Sequence, residues 1–240
     1  MQIKGCVALV TGANRGIGAA FIAALKKRGA QKIYAGVRDA RAGIDDSAAK
    51  TVSIDITDDR SVAAAAAQCP DVTLLINNAG VNFNTKLVGH ASLDNARTEM
   101  ETNYFGPLRM IRAFAPILKT HGGGAIVNML SITGRVNIPL MGSLSASKAA
   151  GISMSAGVRA ELAAQQTQVL SAIPGAVDTR MTAGLGGPKS QPGEIADEVL
   201  DALEAGRDEV YPGDMAKQIM QAFESDRMAI EREFAKFLSM

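Results

Sequence analysis

Three glycines, Gly12, Gly16 and Gly18, follow a short apolar run and open a stretch of helical period. Glycine lets a backbone turn sharply and pass close to a bulky anion. The first turn of a helix adds unpaired N–H groups and a positive dipole end. That combination suits a pyrophosphate. Arg15 sits inside the turn and Arg38 follows a second apolar run; guanidinium forks match phosphate oxygens. Other chemistry-bearing residue types are sparse. With two cysteines, Cys6 and Cys69, and two histidines, His90 and His121, no set has metal-ligand spacing, so no metal is expected. The cysteines read as small buried groups in a reducing compartment rather than a disulfide framework, and the histidines as solvent-facing.

The elements that must position these residues follow from periodicity. Apolar, β-branched runs fall near residues 6–10, 32–37, 51–54, 73–77, 125–129, 169–173 and, briefly, 209–211. Helical stretches fall near 15–28, 59–68, 93–120, 143–166, 194–205 and 215–238. Most of the apolar runs are continuous rather than alternating, the pattern of strands buried on both faces of a parallel sheet. Strands and helices in alternation make a doubly wound α/β fold, with right-handed crossovers placing helices on both faces. The 240 residues suit one domain, 1–240. Residues 183–193, rich in glycine and proline, read as an open loop. A net charge of +1 without a basic stripe gives no reason to expect nucleic acid or an anionic membrane as partner. No run approaches membrane-spanning length and no signal peptide is legible, so a cytoplasmic location is expected.

Taken in order, Thr11-Gly12-Ala13-Asn14-Arg15-Gly16-Ile17-Gly18, Asn77-Asn78-Ala79-Gly80, Asn103, Ser131 and Ser143-Leu144-Ser145-Ala146-Ser147-Lys148 resemble the short-chain dehydrogenase/reductase family. The resemblance runs from residue 7 to about 179. The family motif is Tyr-x-x-x-Lys with a serine thirteen residues before the tyrosine. Ser131 stands thirteen before position 144 and Lys148 four after it, so Leu144 occupies the tyrosine's place. The resemblance implies a Rossmann-type fold, a mostly parallel seven-stranded sheet of order 3-2-1-4-5-6-7.

It also implies roles. Gly12, Asn14, Arg15, Gly16, Ile17 and Gly18 would form the phosphate turn. Val37 stands where an NAD-selecting acid is usual; Arg38 follows it, and with Arg15 would flank a ribose 2′-phosphate, favouring NADP(H). Asp55, with Ile56, would hold the adenine amino group, and Asn77, Ala79 and Gly80 would pack against the adenine ribose. Pro174, Gly175, Val177 and Thr179 resemble the segment that holds the nicotinamide carboxamide, and Lys148 would bind the nicotinamide ribose. Asn103 would fix a proton-relaying water and Ser131 would hydrogen-bond the substrate carbonyl. The tyrosine's proton has no counterpart in Leu144. The implied activity is that of an NADP-dependent carbonyl reductase or alcohol dehydrogenase, impaired or altered at this position.

Ser143 and Ser145 are each turned about 100° from the face shared by positions 144 and 148. Of the tyrosines Tyr34, Tyr104 and Tyr211, Tyr104 reads as a packed aromatic. A water held by Ser131 and Lys148, or Lys148 itself with its pKa lowered beside Leu144, remains as proton source. A positioned general acid contributes roughly 10²–10⁴-fold, so its loss leaves a slow enzyme. Val136, Ile138, Pro139, Leu140, Met141 and Met181 either line a pocket for a hydrophobic ketone, aldehyde or secondary alcohol or simply pack the loop. Two other readings stand beside the reductase: a relative with non-redox, cyclase- or isomerase-like chemistry, and a non-catalytic NADP-binding protein. Family resemblance further implies a homodimer or homotetramer built through the helices near 93–120 and 143–166.

Overall fold

The apolar runs become the strands of one sheet in a computed structural model that describes residues 1–39 and 49–238. The strands are β1 (Val7–Thr11), β2 (Lys32–Val37), β3 (Ala49–Ser53), β4 (Leu74–Asn77), β5 (Ala125–Met129), β6 (Gln168–Ala172) and β7 (Glu209–Val210). Every pairing is parallel and the order is β3-β2-β1-β4-β5-β6-β7, the order implied by the resemblance. β1 and β5 are buried at every position, whereas the edge strand β3 buries only Val52. Helices cover both faces of the central strands, which is why those strands show no apolar–polar alternation.

On one face lie α1 (Gly16–Lys27) and α6 (Pro192–Glu204), packed through Phe21, Leu25, Val199 and Leu203. On the other lie α2 (Asp59–Gln68), α4 (Gly106–Thr120) and α5 (Gly142–Leu162), packed through Val62, Phe114, Leu118 and Met154. The strand order reverses between β1 and β4. Connections leave those two strands in opposite directions there and open a crevice at their carboxyl ends. Cys6 and Cys69 are buried free thiols, and burial pushes both up to about 11. His90 and His121 are exposed. Among the described residues no helix is long and apolar enough to cross a membrane.

Three segments depart from the sequence reading. The helix expected over 93–120 is α3 (Asp94–Met100) running through a π-turn, Glu101–Phe105, into α4. Such turns recur at functional sites, and this one carries Asn103. The helix expected over 215–238 breaks at Asp226 into α7 (Asp214–Ser225) and α8 (Arg227–Ala235). Asp226 takes an extended conformation and its Oδ1 accepts a hydrogen bond from the Ala229 N–H at 2.9 Å. Aspartate favours this capping role over a helix interior, and the break follows from it. The loop expected at 183–193 is pinned near its end by a parallel bridge between Val177 and Ser190. It then enters α6 through a capping box, the Gln191 N–H donating to Glu194 Oε2 at 3.0 Å.

Candidate active site

A cavity of about 1410 Å³ occupies the crevice at the carboxyl ends of the strands. Its floor at one end is the turn after β1. Gly12 has φ +64°, a left-handed conformation that side chains resist, and a Cβ there would stand 3.0 Å from Ala79 Cα. The turn is stitched to the end of β4 by two residues. Thr11 Oγ1 accepts from the N–H groups of Asn78 and Ala79 at 3.0 and 3.1 Å. The Asn78 amide donates to the Thr11 and Gly12 carbonyls at 2.9 and 3.2 Å. Helix α1 then begins at Gly16 with no side chain capping it, so its first N–H groups face the cavity unclaimed by the protein among the described residues.

Asn14, Arg15, Gly16 and Ile17 line this end, and Arg38 closes it from the end of β2. Neither guanidinium has an ion pair among the described residues. Asp55 and Ile56 line the adjoining wall. The Thr57 hydroxyl, donating to Asp55 Oδ1 at 2.7 Å, holds that carboxyl below the usual carboxylate range, with the Thr57 N–H assisting at 2.9 Å. Ala79, Gly80, Pro174, Gly175, Val177 and Thr179 continue the lining toward the other end.

There Ser131, Leu144 and Lys148 come together on the cavity wall. Ser131 follows β5, and its Oγ accepts from the Thr133 N–H at 3.2 Å, which leaves the hydroxyl proton for another acceptor. Leu144 and Lys148 share one face of α5, a turn apart. Lys148 Nζ donates to the Met129 carbonyl at 2.9 Å, and burial lowers its ammonium from the ordinary lysine range to about 8. None of the tyrosines replaces the missing phenol. Tyr34 and Tyr211 donate to Asp71 and Glu209 at 2.7 and 2.9 Å, Tyr104 packs edge-on against Phe105, and none of the three lines the cavity. Ser143 and Ser145 also turn away, donating to Glu99 and to the Met141 carbonyl.

Three of the residues assigned from the sequence do not line the cavity. Asn77 is the clearest correction: it points into the sheet, donating to Asn128 Oδ1 at 2.9 Å, and Asn128 in turn donates to Ser155 Oγ at 2.9 Å. Successive strand residues face opposite ways, so it is Asn78 that meets the glycine turn. Gly18 sits inside α1 against the Gly12 carbonyl. Asn103 stands just behind the wall, where a Cβ on Gly80 would lie 3.0 Å from its Oδ1 and 3.7 Å from Lys148 Nζ. Of the apolar loop residues, Ile138, Leu140, Met141 and Met181 line the cavity, while Val136 is fully buried and Pro139 lies off the wall.

Asn103 belongs to a two-rung clamp that the sequence did not reveal. Its amide spans the Val81 backbone, accepting from N–H at 2.9 Å and donating to C=O at 3.0 Å, and also donates to Ser147 Oγ at 3.0 Å. One turn earlier, Glu99 is fully buried; it accepts from the Phe83 N–H at 2.7 Å and from the Ser143 hydroxyl. Both rungs tie α5 to residues 81–83, which line the same cavity as Leu144. Glutamate is rarely buried without partners, but no sequence pattern shows which glutamate will be. Met215 and Ile219 of α7 and Phe234 of α8, residues outside any motif, also line the cavity.

Residues 6–189 match the family model described as short chain dehydrogenase. An oxidoreductase of Staphylococcus haemolyticus is 31% identical over 214 residues, 84% of this chain and 92% of its own. Galactitol 2-dehydrogenase of Agrobacterium fabrum is 33% identical over 187 residues, 74% of this chain and 73% of its own. Among solved structures, a short chain dehydrogenase from Burkholderia cenocepacia, crystallised in complex with NADP, is 51% identical. It superposes with a TM-score of 0.94 over 98% of this chain and 99% of its own.

Proposed function

Because the chain belongs to the short-chain dehydrogenase/reductase family, we propose that it is an NADP(H)-dependent oxidoreductase. Its substrate is an apolar ketone or aldehyde, or the matching secondary alcohol. The observation that carries this reading is the joining, in one cavity, of the glycine turn with Arg15 and Arg38 at one end to Ser131, Leu144 and Lys148 at the other. The residues fit the dinucleotide. The left-handed Gly12 lets a pyrophosphate approach the backbone, the uncapped start of α1 offers it N–H donors, and two guanidiniums with no ion pair among the described residues stand where a 2′-phosphate needs cations. Asp55 and Ile56 would hold the adenine, Thr179 and its neighbours the carboxamide, and Lys148 the nicotinamide ribose. When bound, NADPH supplies a hydride.

This chain's residues must manage the oxygen of the substrate. Ser131 donates a hydrogen bond to it, and Lys148, still protonated at neutral pH but eased toward release by burial, delivers the proton. Leu144 contributes no proton and keeps that side of the pocket dry. The result is a reductase slower by roughly 10²–10⁴-fold than one with a placed phenol. Self-association through α4 and α5 belongs to the same reading, and light scattering checks it.

The experiment is the Leu144→Tyr variant beside the parent chain, following NADPH consumption with apolar ketones and aldehydes after calorimetry has measured NADPH binding to each. A gain of about 10²-fold or more is expected. NADPH binding by both chains with no gain in turnover would overturn the reductase reading and direct the search to non-redox substrates.

A further inference from the structure

The C-terminal segment returns to the cavity by a route that local helix signals do not explain. Helix α7 brings Met215, which lies beside Gly175, and Ile219 to the cavity wall and stops at Ser225. Asp226 both ends α7, its N–H donating to the Ala222 carbonyl at 2.9 Å, and caps α8 through Ala229. Beyond this joint α8 packs against α7 and brings Phe234 onto the cavity wall. The 3₁₀ turn that follows, Lys236–Leu238, lies against the 3₁₀ turn Pro139–Met141, which carries Leu140 and Met141 of the same wall. So the tail touches the segment between Ser131 and Leu144 from the outside while Phe234 faces the cavity.

Helix α8 is nine residues long and none of them is buried. A helix this short is marginal in water and owes its placement to tertiary contacts. Its partly buried apolar residues are Ile230 and Phe234; it packs against α7, and the turn beyond it lies near residues 139–141. Aromatic lining residues are few: among the described residues only Phe83 and Phe234. Phe83 is about half exposed, whereas Phe234 is partly buried and lines the cavity together with Leu144 and Ile219.

We propose that Phe234 is a specificity-determining residue, the wall that limits how long an apolar tail the substrate can carry. It would act on ketones or aldehydes whose carbonyl lies at Ser131 and whose alkyl or aryl tail runs toward α8. This inference rests on the carbonyl-reductase reading above, which says where the carbonyl lies.

The test compares Phe234→Ala and Phe234→Trp with the parent, using methyl alkyl ketones of rising chain length and NADPH. Opening the wall should lower KM for the longest ketones by about tenfold or more relative to butanone, since apolar pockets discriminate at about that level per methylene group. The tryptophan variant should shift the preferred length downward. NADPH affinity should stay unchanged in both. An equal effect on every chain length, or none, overturns the proposal. If the parent reduces no ketone, the reductase reading fails, and the wall is read separately. The same ketones then compete with anilinonaphthalene sulfonate on the NADP⁺-loaded protein. A change in the chain-length dependence of displacement in Phe234→Ala supports the wall, and an unchanged dependence sinks it. The tryptophan variant keeps the aromatic anchor, so it guards against loss of α8 packing in the alanine variant.

Discussion

At the phosphate end of the cavity the chain uses its backbone; at the opposite end it uses side chains drawn from segments far apart. The first end is a left-handed glycine, an uncapped helix start and two cross-strand stitches from Thr11 and Asn78. The glycine and the helix start belong to one β–α turn, with Asn78 reaching across from the end of β4. The second end needs residues 81–83, the 131–148 segment, α7 and α8 to meet, held by Glu99 and Asn103. A backbone-built turn is most sensitive to substitution at its glycines. A side-chain-built site can exchange one wall or one proton donor while the rest stays in place. Leu144 and Phe234 are both of that exchangeable kind.

The sharpest way to break the contrast is at Gly12. Valine there would be forced into a left-handed conformation and pushed against Ala79. NADPH binding should fall by more than about 10²-fold in calorimetry, two close phosphate hydrogen bonds being worth at least about 3 kcal/mol together. A folded Gly12→Val protein that binds NADPH normally would show the backbone is not the determinant.

Next in size are the two arginines. Each charge-assisted hydrogen bond is worth about 1.5–3 kcal/mol, so Arg15→Ala with Arg38→Ala should weaken NADPH by about 10²-fold or more. NADH, lacking the 2′-phosphate, should lose far less. Equal losses for both coenzymes would refute the assignment of these side chains.

The smallest effect probes the chemical end through Lys148. Burial holds its folded pKa at about 8 against an ordinary 10.5. Between those values the unfolded chain binds more protons than the folded one, so this group makes stability rise with pH there. Below about 8 both states are protonated and the full cost of the buried charge is present. Replacing it, Lys148→Met, should therefore raise the melting temperature most at neutral pH, with the gain shrinking toward pH 10. A pH-independent difference would mean that the ammonium is not buried. In the parent chain, reduction should also slow as pH climbs through about 8, where Lys148 loses the proton it is proposed to deliver.

How legible each end was follows from the same contrast. The strand order, the glycine turn, Arg15, Arg38, Ser131 and Lys148 were all nameable from motif spacing, and they line one cavity. Asn78 rather than Asn77 lines the cavity because a motif gives positions, while the pleat decides which of two neighbours faces that side. Glu99 carries no motif, and its burial emerges only when α3 lies against α5 and residues 81–83. The break at Asp226 was hidden because an aspartate on a helix surface and an aspartate capping a new helix look alike in an amphipathic stretch.

By itself the sequence determined what depends on short separations along the chain. These are the sharp turn at Gly12, the one-turn spacing of Leu144 and Lys148, and the continuous apolar runs that only a doubly covered sheet can bury. Backbone sterics and helical period act over a few residues and need no partner. Tertiary structure alone decided how side chains from remote segments come together: Phe234 and Leu144 lining one cavity, Asn103 bridging Val81 and Ser147 behind it, and Lys148 sealed enough to lower its pKa. Those outcomes depend on how whole elements pack and exclude water, and that information is spread over every contact in the core rather than written at any one position.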